Sequence, residues 1–279
     1  MSRLENMPAQ TPAAPHVILN GELLPAAAAR VSPLGDGFMF GHGAFETLRA
    51  RAGRALHLDA HHARLAATCS ALDLAPPPPV AELDLRITRL LAAQGQPAAA
   101  VKIVRYRELS GTGELITTRP LPVTATDYLR GYRLKTFACP PRAGRPLAAH
   151  KTLNYLENLL ARRAAREAGG DEALFITHAP DDLVLEGSAT TLFIVKGGVV
   201  LTPPLALGIL PGIARARVLA HLGPERAREE TLSREALFAA DEVFVINALI
   251  GVMPVSRIDN RDFPSAAPVT AALADFFNH

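Results

Sequence analysis

The sequence contains no tryptophan, only two cysteines in 279 residues, and aromatic side chains at 5% of positions. Two cysteines cannot build a disulfide framework. Cys69 and Cys139 sit in neither a CxxC nor a Cys/His spacing, which points to a reducing compartment and leaves at most one bridge between them. No apolar run approaches the roughly 18–20 residues of a membrane span. The Ala- and Pro-rich start lacks the charged-then-apolar layout of a signal peptide, so a soluble cytoplasmic protein is expected. Charge of one sign is also missing. With 29 Lys+Arg against 27 Asp+Glu, interspersed along the chain, the net +2 is too small for a nucleic-acid footprint, despite an isoelectric point near 8.7. Internal repeats are absent. What is present is apolar bulk: 49% hydrophobic residues over this length suffice for two compact domains or one large one.

Local signals divide the chain. Met1 to Pro15 reads as a disordered tail. Asn20-Gly21 between two short apolar runs predicts a tight hairpin, because such turns require positive φ. A second hairpin is expected around Gly53. Asp59 is the expected N-cap of a helix running to about Leu72, which Pro76 to Pro79 follow. Val80 to Ala93 carries Leu83, Ile87, Leu90 and Leu91 at helical spacing. Alternation predicts strands at Ala100–Leu109 and Tyr132–Ala138. Residues 139–150, with Pro140, Pro141, Gly144 and Pro146, read as a linker. Beyond it an apolar helix face of Leu153, Leu156, Leu159 and Leu160 is expected, ended by Gly169-Gly170. Strand signals follow at Ala173–Thr177, Leu183–Leu185, Thr191–Val195, Val199–Thr202 and Glu242–Ile246, with a helix opening after Pro211-Gly212. Strands mixed with helices, not strictly alternating with them, predict an α/β (α+β) chain with mixed sheets. The smaller domain spans 16–138 and the larger 151–279.

Three segments carry chemistry. His150-Lys151-Thr152-Leu153-Asn154-Tyr155 places a lysine at the exit of the linker, and domain junctions favour ligand clefts. A lysine amine forms Schiff bases with carbonyl compounds when its surroundings lower its pKa. Leu185-Glu186-Gly187-Ser188 puts a carboxylate between an apolar strand and a Gly-Ser turn, where it can keep a pyridine nitrogen protonated. Gly208 to Arg215 runs through Pro211-Gly212 into a helix whose free N–H groups suit a phosphate, and Arg64 offers a guanidinium for the same anion. Singly, each has an ordinary reading: a solvated lysine, a turn glutamate, a plain helix start and a surface arginine.

Together, in this order and spacing, they resemble the class IV aminotransferases, the fold-type IV enzymes of pyridoxal 5'-phosphate (PLP). The resemblance runs from Asn20-Gly21 to Pro254-Val255. It implies a small N-terminal and a larger C-terminal domain, PLP in the cleft between them, and a homodimer acting on a small amino substrate. It further implies Lys151 as the cofactor-bearing lysine, Glu186 beside the pyridine nitrogen, Arg64 with Ile213 and Ala214 around the phosphate, Leu210 on the ring face and Tyr155 near the ring's phenolic oxygen. Phe40 to Arg49, Leu153 to Glu157 and Ile246 to Val255 are most similar to the lyase branch, which converts 4-amino-4-deoxychorismate to 4-aminobenzoate and pyruvate for folate synthesis. There Thr47 and Asn247 match residues of substrate and proton handling. Arg105, Arg107 and Arg142 are available for a substrate carboxylate, Arg107 being taken as the candidate. The chain departs from the pattern at Gly35-Asp36-Gly37, His42, Ala214 and Ala248. The alternatives are an aminotransferase acting on D-amino acids, branched-chain amino acids or amines, and a silent PLP-fold binding module.

Other signals lead nowhere. Gly41-x-Gly43 has no third glycine in register for a dinucleotide site. His57, His61 and His62 lack partners at metal-ligand spacing, so they are expected to cap and coat a helix, and no metal is expected.

Overall fold

A computed structural model describes residues 15–264 and 267–278. The expected tail therefore lies outside the described residues, apart from Pro15. The first hairpin pairs β1 (His16–Leu19) with β2 (Glu22–Pro25) around Asn20-Gly21, both at positive φ. A short helix α1 (Asp36–Phe40) precedes the long β3 (Gly43–Arg51) and its stub β4 (Arg54–Ala55). Two helices follow, α2 (Leu58–Ala71) and α3 (Val80–Ala93), then β5 (Ala99–Arg107) and β6 (Thr112–Arg119). These strands form an antiparallel sheet of order β2-β1-β6-β5-β3-β4. Leu48, Val101, Ile103 and Ile116 point from it into a core closed by Leu65 of α2 and Leu83, Ile87 and Leu90 of α3. The other face presents Phe45, Val104 and Tyr106.

The remaining elements are α4 (Ala125–Arg130), β7 (Tyr132–Cys139), α5 (Leu156–Glu167), β8 (Glu172–Thr177), β9 (Val184–Gly187), β10 (Thr191–Lys196) and β11 (Val199–Thr202). After them come α6 (Ile213–Leu222), β12 (Ala227–Glu229), α7 (Arg234–Phe238), β13 (Glu242–Asn247), β14 (Gly251–Ile258), β15 (Arg261–Asp262) and α8 (Pro268–Asn278). The second sheet has order β12-β11-β10-β13-β14-β7-β8-β9, with β15 on β14. Its β14–β7, β7–β8 and β11–β12 pairs are parallel and the rest antiparallel, a mixed sheet. Phe193 and Phe244 face each other across β10 and β13 with rings stacked at 5.0 Å, under Ala214 and Val218 of α6.

The structure moves three sequence boundaries. β7 hydrogen-bonds to β14 and β8, so the change of sheet falls between β6 and β7, ahead of the expected linker at 139–150. The strand β6 carries a buried glutamate, Glu114, and its polar sequence hides the strand signal. Helix α2 is entered through His57 in the left-handed region (φ 56°), and Asp59 lies in the first turn, where its charge complements the helix dipole without capping it. The leucine stripe on α5 also differs from expectation. Leu156, Leu159 and Leu160 are exposed, while Ala161 and Ala165 are buried against Ala173 and Phe175 of β8. Small side chains let the helix lie close on the sheet.

Candidate active site

The two sheets enclose a cleft of about 590 Å³, within the roughly 300–1,000 Å³ range of small-molecule sites. Because β4 covers only Ala50 and Arg51, the rest of β3 is open on that edge. Residues 151–153 dock there: Phe45 N–H donates to the Lys151 carbonyl at 2.9 Å and Leu153 N–H to the Gly43 carbonyl at 2.8 Å. A Cβ at Gly43 would lie 2.5 Å from Leu153 Cδ1 and 2.7 Å from the Arg105 carbonyl, so the approach requires glycine.

Lys151 is thereby fixed in the cleft, its Nζ 4.4 Å from the Phe45 ring centroid and 5.3 Å from that of Tyr155. Those two rings meet edge to face at 5.3 Å. No hydrogen bond or ion pair ties this amine down among the described residues. Burial, reinforced by Arg64 and Lys102 and opposed by Glu46 and Glu186, lowers its pKa from 10.5 to about 8. A neutral amine, the nucleophilic form, is accordingly accessible near neutral pH.

Glu186, on β9, sits in the same cleft with Lys151. Its carboxylate accepts the Leu210 N–H at 3.3 Å on both oxygens, and Arg142 Nη1 lies 3.8 Å away. These are long contacts for a buried acid. Burial pushes its pKa up from 4.5 to about 7 against the pull of Leu210, Arg142, Lys151 and Arg64. The acid thus lacks a strong resident partner, and a cation brought into the cleft would supply one. Arg142 comes from the proline-rich segment after β7, and its guanidinium lies 4.2 Å over the Phe175 ring. Gly208, at φ +78°, packs against the Arg142 carbonyl so closely that a Cβ would come within 2.3 Å of it.

The anion end is built around an acid that sequence reasoning missed. Arg64 forks onto Glu46, Nε to Oε1 at 2.6 Å and Nη2 to Oε2 at 2.8 Å, while its Nη1 donates to the Pro211 carbonyl at 2.9 Å. His61 Nδ1 lies 2.7 Å from Glu46 Oε2. Although burial alone would raise the Glu46 pKa, the hydrogen bonds and charges of Arg64 and His61 hold it at about 2. Through Pro211, Arg64 is tied to the loop that opens α6, whose N-cap Gly212 provides no side-chain cap. Gly212, Ile213 and Ala214 line the cleft there, next to Arg64. A helix start beside a fixed guanidinium is an anion cradle.

The other expected site residues distribute unevenly. Leu210, Thr47 and Tyr155 line the cleft, Thr47 directly opposite Lys102 across β3 and β5. The Tyr155 hydroxyl donates to the Ser188 carbonyl at 2.6 Å, and burial raises its pKa. Asn247 also borders the cleft, but its amide is committed to backbone. Its Nδ2 donates to the Ala189 carbonyl at 2.9 Å, and its Oδ1 accepts from the Leu249 and Ile250 N–H groups at 2.8 and 2.9 Å. Arg107 stands outside the cleft. Along β5 the cleft side takes Lys102, Val104 and Tyr106, so Arg105 and Arg107 project the other way, onto Glu114 and the carbonyls of Ala75 and Pro76, and onto Asp73. Of the three candidate carboxylate-binding arginines, Arg142 alone reaches the cleft. His62 Nε2 is 2.9 Å from the Pro78 carbonyl and His42 Nε2 is 2.7 Å from the Leu72 carbonyl. No group of metal-binding side chains occurs among the described residues.

Residues 43–258 match the amino-transferase class IV family. The chain is a class IV aminotransferase-family enzyme. Its relatives in this family include an aminodeoxychorismate lyase from Vibrio harveyi, 34% identical over 83% of this chain and 90% of the relative. A D-alanine aminotransferase from Bacillus licheniformis is 27% identical over 90% of this chain and 91% of the relative. A branched-chain aminotransferase from Thermoproteus uzoniensis, solved with norvaline, superposes with a TM-score of 0.83 at 29% identity, covering 94% of this chain and 93% of that one. Class IV aminotransferase-family enzymes use PLP, and PLP is the cofactor of this one. The donor set fits it: an untethered amine for the aldehyde, a weakly bonded acid for the ring nitrogen, and a guanidinium with helix N–H groups for the phosphate.

Proposed function

We propose that this class IV enzyme converts 4-amino-4-deoxychorismate to 4-aminobenzoate, a folate precursor, and pyruvate. The observation that carries this reading is the place of Thr47. It lies on the cleft face of β3, two residues from Phe45, on whose ring the Lys151 amine rests. A hydroxyl on that face of the cleft can carry a proton. The Vibrio harveyi relative named as a lyase supports it.

Lys151, Glu186, Arg64, Ile213, Ala214, Leu210 and Tyr155 would hold the cofactor, which when bound supplies an electron sink. Lys151 takes the proton from the ring carbon that bears the substrate's amine. The electron pair left by that proton completes the aromatic ring as the bond to the enolpyruvyl oxygen breaks. Thr47 relays the proton taken by Lys151 to the departing enolate, which becomes pyruvate. Glu186 would be held ionised by a protonated ring nitrogen, and Arg64 with the α6 N–H groups would hold the phosphate. Asn247 holds the turn after β13 against the 188–190 loop and so shapes the substrate side of the cleft.

The exposed Phe38, Met39 and Phe40 of α1, with Leu156, Leu159 and Leu160 of α5, support a homodimer, which sedimentation tests. Cys69 and Cys139 are buried free thiols, consistent with a cytoplasmic location. No helix among the described residues is long and apolar enough to cross a membrane. A second reading, transamination, is supported by the Bacillus licheniformis and Thermoproteus uzoniensis relatives. In it Lys151 moves the same kind of proton and a keto acid departs. The deciding experiment gives the PLP-loaded protein aminodeoxychorismate and follows 4-aminobenzoate by fluorescence alongside pyruvate. Equal amounts of both support the lyase. A yellow protein that forms neither, yet turns over D-alanine or a branched-chain donor, replaces it with transamination.

A further inference from the structure

The cleft holds more positive charge than the cofactor needs. Arg64 is committed to Glu46, and Arg142 faces Glu186 and Glu157. Further guanidinium groups border the cleft, among them Arg119 at the end of β6 and Arg162 on α5, and neither of these two has an ion pair or side-chain hydrogen bond among the described residues. Arg162 Nε is fully buried and has no partner at all. Both line the same cleft, and the charge of Arg162 adds to the burial that lowers the pKa of Arg119. Like charges brought together from opposite sides of a cleft raise the energy of the empty site, and an anion between them lowers it.

Other groups mark the same corner. Tyr132, buried at the start of β7, presents a hydroxyl with no hydrogen-bond partner among the described residues; burial raises its pKa and the charge of Arg162 opposes that rise. Glu172 also lines the cleft, and the charge of Arg162 acts on it. Its Oε1 accepts the Ser188 hydroxyl and the Ala173 N–H, its Oε2 is buried and unpartnered, and burial raises its pKa. Burial opposes its ionisation, while Arg162 and the Ser188 and Ala173 donors favour it. Tyr155 links the two: Lys151 Nζ lies 5.3 Å from its ring centroid, while its hydroxyl donates to the Ser188 carbonyl, which Asn158, one turn before Arg162 on α5, also reaches. The corner therefore lies towards the hydroxyl end of Tyr155, and the reactive amine rests on its ring.

We propose that Arg162, Arg119 and the Tyr132 hydroxyl form a receptor for a substrate carboxylate, set beyond the hydroxyl end of Tyr155 from the reacting amine. The substrate class is then an amine whose carboxylate is remote from the amino-bearing carbon, not an α-amino acid. The proposal rests on the cleft being an amine site and assigns its selectivity to residues absent from every sequence motif noted above.

The test uses two isomers of equal charge, 4-aminobenzoate and 2-aminobenzoate, titrated calorimetrically into the PLP-loaded protein. The 4-isomer is expected to bind about tenfold more tightly, which corresponds to about 1.4 kcal/mol. Arg162→Met and Arg119→Met each bring the two isomers to parity, and Arg162→Lys retains part of the preference. Equal binding in the unaltered protein overturns the proposal, as does a preference that survives in both methionine variants. Arg119 lies at the exposed rim, so its variant tests the receptor even if Arg162→Met does not fold. Cofactor uptake, read as yellow colour fixed by borohydride, reports separately on the amine site. Turnover of aminodeoxychorismate reports separately on the lyase reading.

Discussion

Glu46 and Glu186 are two buried carboxylates, one behind Arg64 and the other lining the cleft, and their acidities have moved in opposite directions. Desolvation acts on both. Glu46 receives a bidentate guanidinium and an imidazole at 2.6–2.8 Å, and its pKa falls to about 2. Glu186 receives one peptide N–H at 3.3 Å and a guanidinium at 3.8 Å, and its pKa rises to about 7. Burial alone says nothing about what an acid is for; the quality of its hydrogen bonds does. A fully satisfied acid is a strut, and an under-satisfied one is a receptor for a cation still to come.

Lys151 feels both acids, so its removal is the widest test of that contrast. Lys151→Ala is expected to lower turnover on the order of 10⁴-fold and abolish borohydride fixation, with the fold intact by circular dichroism. Substantial residual turnover removes the whole site assignment. Next comes Glu46→Gln, which leaves Arg64 without its carboxylate and should cost about 3–5 kcal/mol in urea unfolding. Because the folded pKa of Glu46 lies below its ordinary 4.5, its stabilisation is present above pH 4.5 and fades as pH falls towards 2. The Gln variant should lack that component of acid sensitivity, and an unchanged acid profile would show that Glu46 is no strut.

Glu186→Gln should do the reverse. In cofactor-free protein the raised pKa means that the folded state holds the proton more tightly, so wild-type stability declines from pH 4.5 to about 7 and stays lower above it. At pH 8 the Gln variant should therefore be the more stable by on the order of 2 kcal/mol, while taking up PLP more weakly. Equal stability at pH 8 erases the distinction between the two acids. The smallest effect is expected at Arg107→Ala, outside the cleft on Asp73: a stability loss under about 1 kcal/mol and PLP affinity within about twofold.

Much of this arrangement is legible in the sequence, and the failures have physical causes. Helix α3 coincides with its expected bounds because Leu83, Ile87, Leu90 and Leu91 face a single core and prolines precede it. Lys151, Glu186 and the α6 start converge because each is flanked by a strong local signal. Glu46 was overlooked because an acid within an alternating strand reads as solvent-facing, and its partner lies 18 residues away on α2. The place of Arg107 depends on the parity of β5, which is fixed only once Phe45 is paired with Val104. The α5 leucines looked like a core stripe, but Ala161 and Ala165 are what the sheet accepts. Arg119 and Arg162 meet only in three dimensions, and a lack of counter-ions has no signature in one.

The two backbone hydrogen bonds that dock residues 151–153 on β3 connect a strand of one sheet to the segment leading into α5 beside the other. A single local opening at that seam would release the Phe45 and Leu153 amides together. Their deuterium exchange should therefore be concerted, and its rate would count how often the reactive amine leaves its place.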